Sequence, residues 1–339
     1  MSVRTRATHL ALLLAAGLLV VPSGAVAADA REVETSAPVR YVGNGTPSSC
    51  TAKRVVRAVA RGGVIRFRCG SKPVTIRMTA TAKVRNDRPS VVLDGGGKVT
   101  LDGLGKRRIL YMNTCDPKQV WTTPHCQNQA RPTLTVKGMT FRNGRSVGRD
   151  TQDGGGAIFV RGGRLRVIDS KFFGNRCAPT GPDVSGGAIQ VFSQYRGLPV
   201  HVVNSTFGGP KGKGNRCSNG GALGSIGVSW AIVNSRFVGN VATGRGANPP
   251  KSGLPGGGNG GAIYNDGNTM TLQVQRSRIV GNRSNGEGGS GIFFVSNDRS
   301  GDVRIVDSVL RNNRGDGFKT HPGIFFLGRR ISFVRSTIE

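Results

Sequence analysis

Acidic residues are scarce in this chain, so their positions are informative. The 339 residues include 18 Asp and Glu against 48 Lys and Arg. Asp150 and Asp153 precede one copy of a Gly-Gly-Ala-Ile segment, and Asp183 precedes the next copy. Carboxylates grouped at one edge of a cleft could bind Ca²⁺ or serve as the general acid and base of glycoside hydrolysis. We therefore predict a metal site at Asp150, Asp153 and Asp183, with calcium as the cofactor.

A second acidic group, Asp266, Asp298 and Asp302, follows the corresponding segments of two later copies. Aspartate in glycine-rich turns forms the turn more often than it binds a ligand, so both groups have a structural alternative. His321 lies before the last such segment and has the same alternative, a turn histidine without a catalytic role.

These residues are positioned by an internal repeat. The segment Val-Ile-Asp-Ser-Lys-Phe at 167–172 returns five times with its serine in register, and Gly-Gly-Ala-Ile lies between the copies. The serines are Ser170, Ser205, Ser235, Ser277, Ser308 and Ser336. Both segments are short and alternate in polarity, which is typical of strands. A unit of about 30 residues cannot enclose a core alone, whereas stacked copies can, so the repeat predicts a parallel β-solenoid.

The chain divides into three segments. Residues 1–30 have an arginine-containing start, an apolar run and small residues near Ala28, which indicates a secretory signal peptide; a retained anchor is the alternative. Residues 31–62 form an N-terminal segment with a capping helix from Ala52 to Ala60. Residues 63–339 form the solenoid. We expect a secreted protein, either extracellular or associated with the cell surface.

Six cysteines in an exported chain suggest three disulfides. Gly-Asn-Arg-Cys occurs twice, ending at Cys177 and Cys217, and the two copies occupy the same turn of adjacent rungs, which predicts a Cys177–Cys217 bond. Cys115 and Cys126 would close a loop around Trp121, and Cys50 and Cys69 remain as a pair at the capping helix. Zinc binding is the alternative, but the chain has no Cys-x-x-Cys pair.

Alternation along the Gly-Gly-Ala-Ile strand separates inward from outward side chains. The residues predicted to point inward are Ile158, Val160, Ile189, Val191, Ile263, Ile292, Phe294, Ile324 and Phe326. The outward row contains aromatic residues that could stack on sugars, and we predict that the substrate-binding residues are Phe159, Gln190, Tyr264, Phe293 and Phe325. Alternatively, loops such as Val241 to Asn259 cover the row. A one-residue error in register would invert it.

Gly-Gly-Ala-Ile alternates with Phe-x-x-Asn, as in Phe172 to Asn175 and Phe237 to Asn240. This alternation resembles the repeats of polymorphic outer-membrane proteins. The layout of residues 60–339 resembles the right-handed β-helices of the pectate-lyase-like superfamily. The resemblance implies an all-β, right-handed parallel β-helix with a short N-terminal capping helix. It specifies no activity, because that superfamily includes lyases, glycoside hydrolases, adhesins and catalytically silent proteins.

Lyases of this superfamily commonly pair Ca²⁺ with an arginine or lysine base, and the resemblance makes Arg161, Arg196 and Lys319 available for that role. No motif selects one of them, so we assign no catalytic residue. The acid pair of polygalacturonase-type hydrolases is not reproduced, because glycines such as Gly155 and Gly156 stand in its place.

The formal net charge of +30 favours a polyanionic partner. We therefore expect a monomer that binds acidic polysaccharide or a cell-wall polymer along one solenoid face, with Ca²⁺-assisted β-elimination as the accompanying activity. A non-catalytic adhesin or cell-envelope binding protein is the alternative. The charge has a second interpretation, since arginine on outward strand positions also discourages edge pairing. The chain contains no recognised nucleic-acid module, so we expect no specific nucleic-acid partner.

Overall fold

A computed structural model describes residues 37–148, 151–210 and 212–339. The expected signal peptide, residues 1–30, and Asp150 of the predicted metal site lie outside these ranges.

The described residues form three sheets whose named strands pair in parallel, and the fold is a parallel β-helix. Sheet A contains Val39–Val42, Gly63–Phe67, Val74–Arg77, Ser90–Asp102, Thr133–Arg142, Arg164–Ile168, Lys171–Phe173, Val200–Val203, Thr206–Gly208, Trp230–Val233, Arg236–Val238, Thr271–Gln275, Arg278–Val280, Asp302–Val306, Val309–Arg311, Arg330–Val334 and Thr337–Ile338. Sheet B contains Ala82–Lys83, Leu110–Asn113, Ile158–Arg161, Ile189–Phe192, Leu223–Ile226, Ile263–Gly267, Ile292–Ser296 and Ile324–Leu327. Sheet C contains Arg216–Cys217, Val241–Ala242 and Arg283–Ser284.

The core is one continuous column inside the solenoid. It contains the residues predicted to point inward from sheet B, with Phe326 partly buried at its edge. Sheet A contributes the rings of Phe141, Phe172, Phe207 and Phe237, which stack with centroids 5.1, 4.7 and 4.8 Å apart. Like residues therefore lie above one another, as the repeat predicted.

Two polar ladders define the corners of the rungs. Each serine of the repeat after Ser170 accepts a hydrogen bond from the backbone N–H of the preceding one, as between Ser170 N and Ser205 Oγ at 3.1 Å. Each ladder asparagine donates from Nδ2 to the next asparagine, at 2.9 Å for every step from Asn175 through Asn215, Asn240 and Asn282 to Asn313. The predicted alignment of the serines is confirmed.

A helix, α1 (Ala52–Arg61), packs against the N-terminal end of the solenoid, as predicted. Its buried residues Ala52, Val55, Ala58 and Val59 follow helical spacing and form one apolar face. The Thr51 side chain caps the helix start by accepting from Arg54 N–H. Short 3₁₀ helices cover Pro47–Ser49, Pro117–Gln119, Cys126–Asn128, Thr151–Asp153 and Tyr195–Gly197.

All three predicted disulfides are present: Cys50–Cys69, Cys115–Cys126 and Cys177–Cys217. The last bond joins adjacent rungs directly, because the residues that precede its cysteines, Arg176 and Arg216, pair in parallel. Its Cα atoms are 4.7 Å apart, close to the spacing of neighbouring strands.

Candidate functional site

The outer face of sheet B carries the row that the sequence assigned to substrate. Strand pairing aligns Tyr111, Phe159, Gln190, Gly224, Tyr264, Phe293 and Phe325. The large side chains of this row lie outside the continuous core, so the predicted outward direction is confirmed.

The expected exposure of this row is wrong. Phe159, Gln190 and Tyr264 are fully buried, Phe293 is 6% exposed, and Phe325 is intermediate. The Phe318 ring packs edge-on against Phe293 and Phe325, with centroids 6.3 and 4.7 Å away. Loops therefore form a second apolar layer over this face, which is the alternative left open by the sequence. A polymer cannot lie against the rings of Phe159, Tyr264 and Phe293 while the loops stay in place.

A polar network holds one of these loops, the covering loop (residues 243–258). The Tyr264 hydroxyl lies 3.1 Å from Asp183 Oδ1 and 3.0 Å from Asp266 Oδ2. Asn248, from the covering loop, donates from Nδ2 to Asp183 and to the Tyr264 hydroxyl. Glu287 also holds the loop, because its Oε1 accepts from Gly246 N–H at 2.9 Å. The structure thus brings together Asp183 and Asp266, which the sequence assigned to separate groups.

Burial shapes the electrostatics of this network. Burial and the neighbouring Asp266 and Asp183 carboxylates raise the pKa of Tyr264 well above its usual value. Burial, together with repulsion from Asp183, raises the pKa of Asp266. Asn248 lies in an insertion between repeats, so no repeat signal could have identified it.

The predicted calcium ligands do not gather in the described part of the chain. Asp183 Oδ1 is occupied by the Asn248 amide, a proton donor that competes with a cation. Asp153 interacts electrostatically with the guanidinium of Arg108, a half-buried residue. Within residues 37–148, 151–210 and 212–339, no three His, Cys, Asp or Glu side chains are close enough together to hold a metal ion. The residues around Asp183 thus do not fit a calcium site, and calcium binding that includes Asp150 stays a prediction.

The second acidic group serves the structure. Asp298 accepts hydrogen bonds from the Ser300 N–H, Ser296 and Ser300, and these bonds lower its pKa to about 2. Asp302 pairs with Arg329. Both arrangements are those of turn and surface residues.

His321 likewise has structural contacts. It lies in the last turn, beside Thr320 Oγ1 and edge-on to the Phe333 ring. These contacts fit the turn role left open by the sequence.

A basic cleft lies at the N-terminal end of the same face. This cavity of about 530 Å³ is lined by Thr81, Lys83, Arg108, Tyr111, Asn113, Cys115, Asp116, Pro117, Lys118, Gln152 and Arg161. Its lining contains four basic side chains and one carboxylate, an excess of three positive charges. The cleft therefore favours an anionic ligand.

The interior of the basic cleft is held by hydrogen bonds. The Tyr111 hydroxyl donates to Asp116 Oδ2 at 3.1 Å and accepts from Asn113 Nδ2 at 2.9 Å. Arg108 Nη2 donates to the carbonyl oxygens of Gly154 at 2.8 Å and Gln152 at 2.9 Å. Burial lowers the pKa of Arg108 to about 10, so it stays charged at neutral pH.

A line of exposed arginines runs along another corner of the solenoid. Pairing places Arg145, Arg176, Arg216, Val241, Arg283 and Arg314 in one register. We call the five arginines of this line the arginine ladder. Each is exposed, and none has an ion-pair or side-chain hydrogen-bond partner among the residues that the structure describes. At a strand spacing of about 4.8 Å, five steps extend about 24 Å.

The arginine ladder was present in the sequence as a repeat signal. Four of its members directly follow a ladder asparagine, at Asn175, Asn215, Asn282 and Asn313. The first two copies also carry the paired cysteines, Cys177 and Cys217. Aligning the later copies would have shown that the residue after each asparagine points outward at one corner.

Searches of protein families, of curated proteins and of solved structures find no match for this chain. In its described residues, no helix is both long enough and apolar enough to cross a membrane.

Proposed function

We propose that this protein binds a linear acidic polysaccharide on its cationic surfaces, outside the cell or at the cell surface. The observation that carries the proposal is the arginine ladder. Its exposed arginines follow the strand spacing, with one gap at Val241, and lack acidic partners in the described chain. The aligned positive charges repel one another. A linear polyanion bound along the ladder would neutralise them and so relieve that repulsion.

Two further features favour a polysaccharide among the polyanions. All six cysteines are paired, which is expected of a protein from an oxidising compartment. The layout resembles that of pectate-lyase-like β-helices, which use this scaffold to bind polysaccharide. The basic cleft adds a concave site lined in part by Tyr111, where one acidic sugar of the polymer could be held.

Cleavage of the bound polymer is the enzymatic form of this proposal, and a non-catalytic adhesin or envelope-binding protein is the other form. Of the three candidate bases, Arg161 lines the basic cleft, whereas Arg196 and Lys319 do not. Two acidic residues from the predicted metal site already have other partners, so we derive no catalytic step through calcium.

The experiment measures affinity for polygalacturonate, alginate and chondroitin sulfate, with neutral dextran as the ligand control. A triple variant, Arg176→Gln, Arg216→Gln and Arg283→Gln, should weaken binding of the preferred acidic polymer by about tenfold and make it less dependent on salt. The matched control removes three exposed arginines elsewhere, by Arg54→Gln, Arg57→Gln and Arg236→Gln, and should change affinity less than about twofold.

Equal losses in both triple variants would contradict a binding track at the ladder. Failure to bind any acidic polymer would overturn the proposed function itself. The same mixtures, with Ca²⁺ or with a chelator, report cleavage through the absorbance of unsaturated products. Absorbance that rises only in the presence of protein indicates the lyase form, whereas binding with constant absorbance indicates the non-catalytic form.

A further inference from the structure

A second concave site lies on the other side of the Cys115–Cys126 loop from the basic cleft. Its volume is about 650 Å³, and it is lined by Asn86, Asp87, Arg88, Pro89, Trp121, Thr123, Gln129, Ala130 and Arg131. The loop contributes Asp116, Pro117 and Lys118 to the basic cleft, and Trp121 and Thr123 to this cavity. We call this cavity the Trp121 pocket.

Several contacts fix the walls of the Trp121 pocket. The disulfide closes the loop across a sequence separation of 11 residues. Asn86 is 3% exposed and donates from Nδ2 to the carbonyl oxygens of Trp121 at 2.7 Å and Thr114 at 3.2 Å. Gln129 Nε2 donates to Thr123 Oγ1 at 2.7 Å. The pocket is therefore preorganised, which lowers the entropy cost of binding a ligand.

The lining combines a flat apolar surface with fixed charges. The Trp121 side chain is 41% exposed, although tryptophan is usually well buried. Arg131 is exposed and has no ion-pair partner among the described residues. Asp87 lies between two arginines, 3.3 Å from Arg85 Nε and 3.1 Å from Arg88 Nη2. An occupant should thus have one apolar face, an acidic group and hydroxyl groups.

We propose that the Trp121 pocket binds a single uronic-acid residue. The ring of a uronic acid has a C–H-rich face that would stack on the indole, and its carboxylate would pair with the Arg131 guanidinium. Its hydroxyl groups would donate to Asp87 and Gln129, which offer acceptor oxygens. The pocket has more than enough room for one sugar and does not depend on the arginine ladder, so it can be tested without any polymer.

The chain has two tryptophans, which makes intrinsic fluorescence a direct probe. Trp230 is 1% exposed and Trp121 is open to the pocket, so a bound sugar changes chiefly the emission of Trp121. Titration with glucuronate should give a saturable change. Glucose, which has the ring without the carboxylate, and acetate, which has the carboxylate without the ring, should each bind at least about tenfold more weakly.

Variants test the roles of the two side chains. Arg131→Gln should weaken glucuronate binding by about tenfold, while Arg57→Gln, the same charge change on helix α1, should leave it unaltered. Trp121→Phe should also weaken glucuronate binding. Because this variant lacks the fluorescent reporter, calorimetry measures its affinity for glucuronate, and circular dichroism checks that the fold is kept.

Three results would each overturn this inference: no saturable response to glucuronate, equal affinity for glucose and glucuronate, or unchanged affinity in Arg131→Gln. The ladder triple variant separates this site from polymer binding. Glucuronate should bind that variant as it binds the parent protein, whether or not the parent binds polymer.

Discussion

At the scale of single residues, the most constrained group is the Tyr264 hydroxyl. It has one proton and lies within hydrogen-bond distance of two carboxylates, Asp183 and Asp266. It can donate to only one of them, and Asn248 donates to the hydroxyl and to Asp183. Asp266 also accepts hydrogen bonds from Gly267 N–H and Asn297 Nδ2, so its raised pKa comes from burial and from repulsion by Asp183 rather than from missing partners.

Asp266→Asn should stabilise the protein at neutral pH by about 1 kcal/mol, because the amide can donate to Tyr264 and carries no buried charge. A raised pKa in the folded state means that stability falls as pH rises through that pKa. The stability advantage of Asp266→Asn over the parent protein should thus grow with rising pH. It should vanish below pH 3.8, the ordinary pKa of aspartate, because Asp266 is then protonated in both the folded and the unfolded state. Chemical denaturation across this pH range measures the difference.

Asp298→Asn is the matched control, and its expected effect on stability is opposite in sign to that of Asp266→Asn. Hydrogen bonds lower the pKa of Asp298 to about 2, so its ionised form favours the folded state. Replacement should destabilise the protein at neutral pH, and the loss should disappear as pH falls from 3.8 towards 2. A pH-independent effect of Asp266→Asn would contradict the interpretation of the network.

For single residues of sheet B, the sequence predicted correctly which way each side chain points but not whether it is exposed to solvent. Alternation determined that Phe159 and Tyr264 point out of the core, because a strand allows only two directions. Arg108 covers Phe159 and the covering loop holds Tyr264, and both come from segments outside the strand repeat. Such segments differ between rungs, so the repeat has no information about them.

At the scale of elements, the asparagine ladder holds successive rungs together. Asn240 donates from Nδ2 to Asn282 Oδ1 and to the carbonyl oxygen of Phe207, and its Oδ1 accepts from Asn215. The repeat could predict this ladder because equivalent residues become spatial neighbours in a solenoid. It also determined the Cys177–Cys217 bond, for the same reason.

Asn240→Ala should destabilise the protein by about 3 kcal/mol, because it leaves Asn215 N–H and the Phe207 carbonyl without partners in a buried site. Asn313→Ala is the matched comparison at the end of the ladder, where the side chain is half-buried and water can replace lost bonds. Its cost should be about 1 kcal/mol. Thermal and denaturant unfolding of both variants measures the difference, and equal costs would mean that the ladder does not act through burial.

At the scale of the whole molecule, a solenoid is stable only if its end strands are protected. Val39–Val42 pairs with Gly63–Phe67, and Ala82–Lys83 is the first strand of sheet B. The apolar face of helix α1 joins the same core cluster as Val42, Ile65 and Ala82. Helix α1 thus covers the first strands of both sheets, where open edges would favour association with other chains.

Cys50→Ser with Cys69→Ser should loosen this cap. The bond links the segment before α1 to the segment after Gly63–Phe67 across a separation of 19 residues, and its removal should cost about 3 kcal/mol. Exposure of the first strands should then cause association that increases with protein concentration, as measured by sedimentation velocity. Cys115→Ser with Cys126→Ser is the control, because it also removes a short-range disulfide but uncovers no sheet edge. Equal association of both double variants would show that the cap does not protect the edge, since only the first pair holds the helix over it.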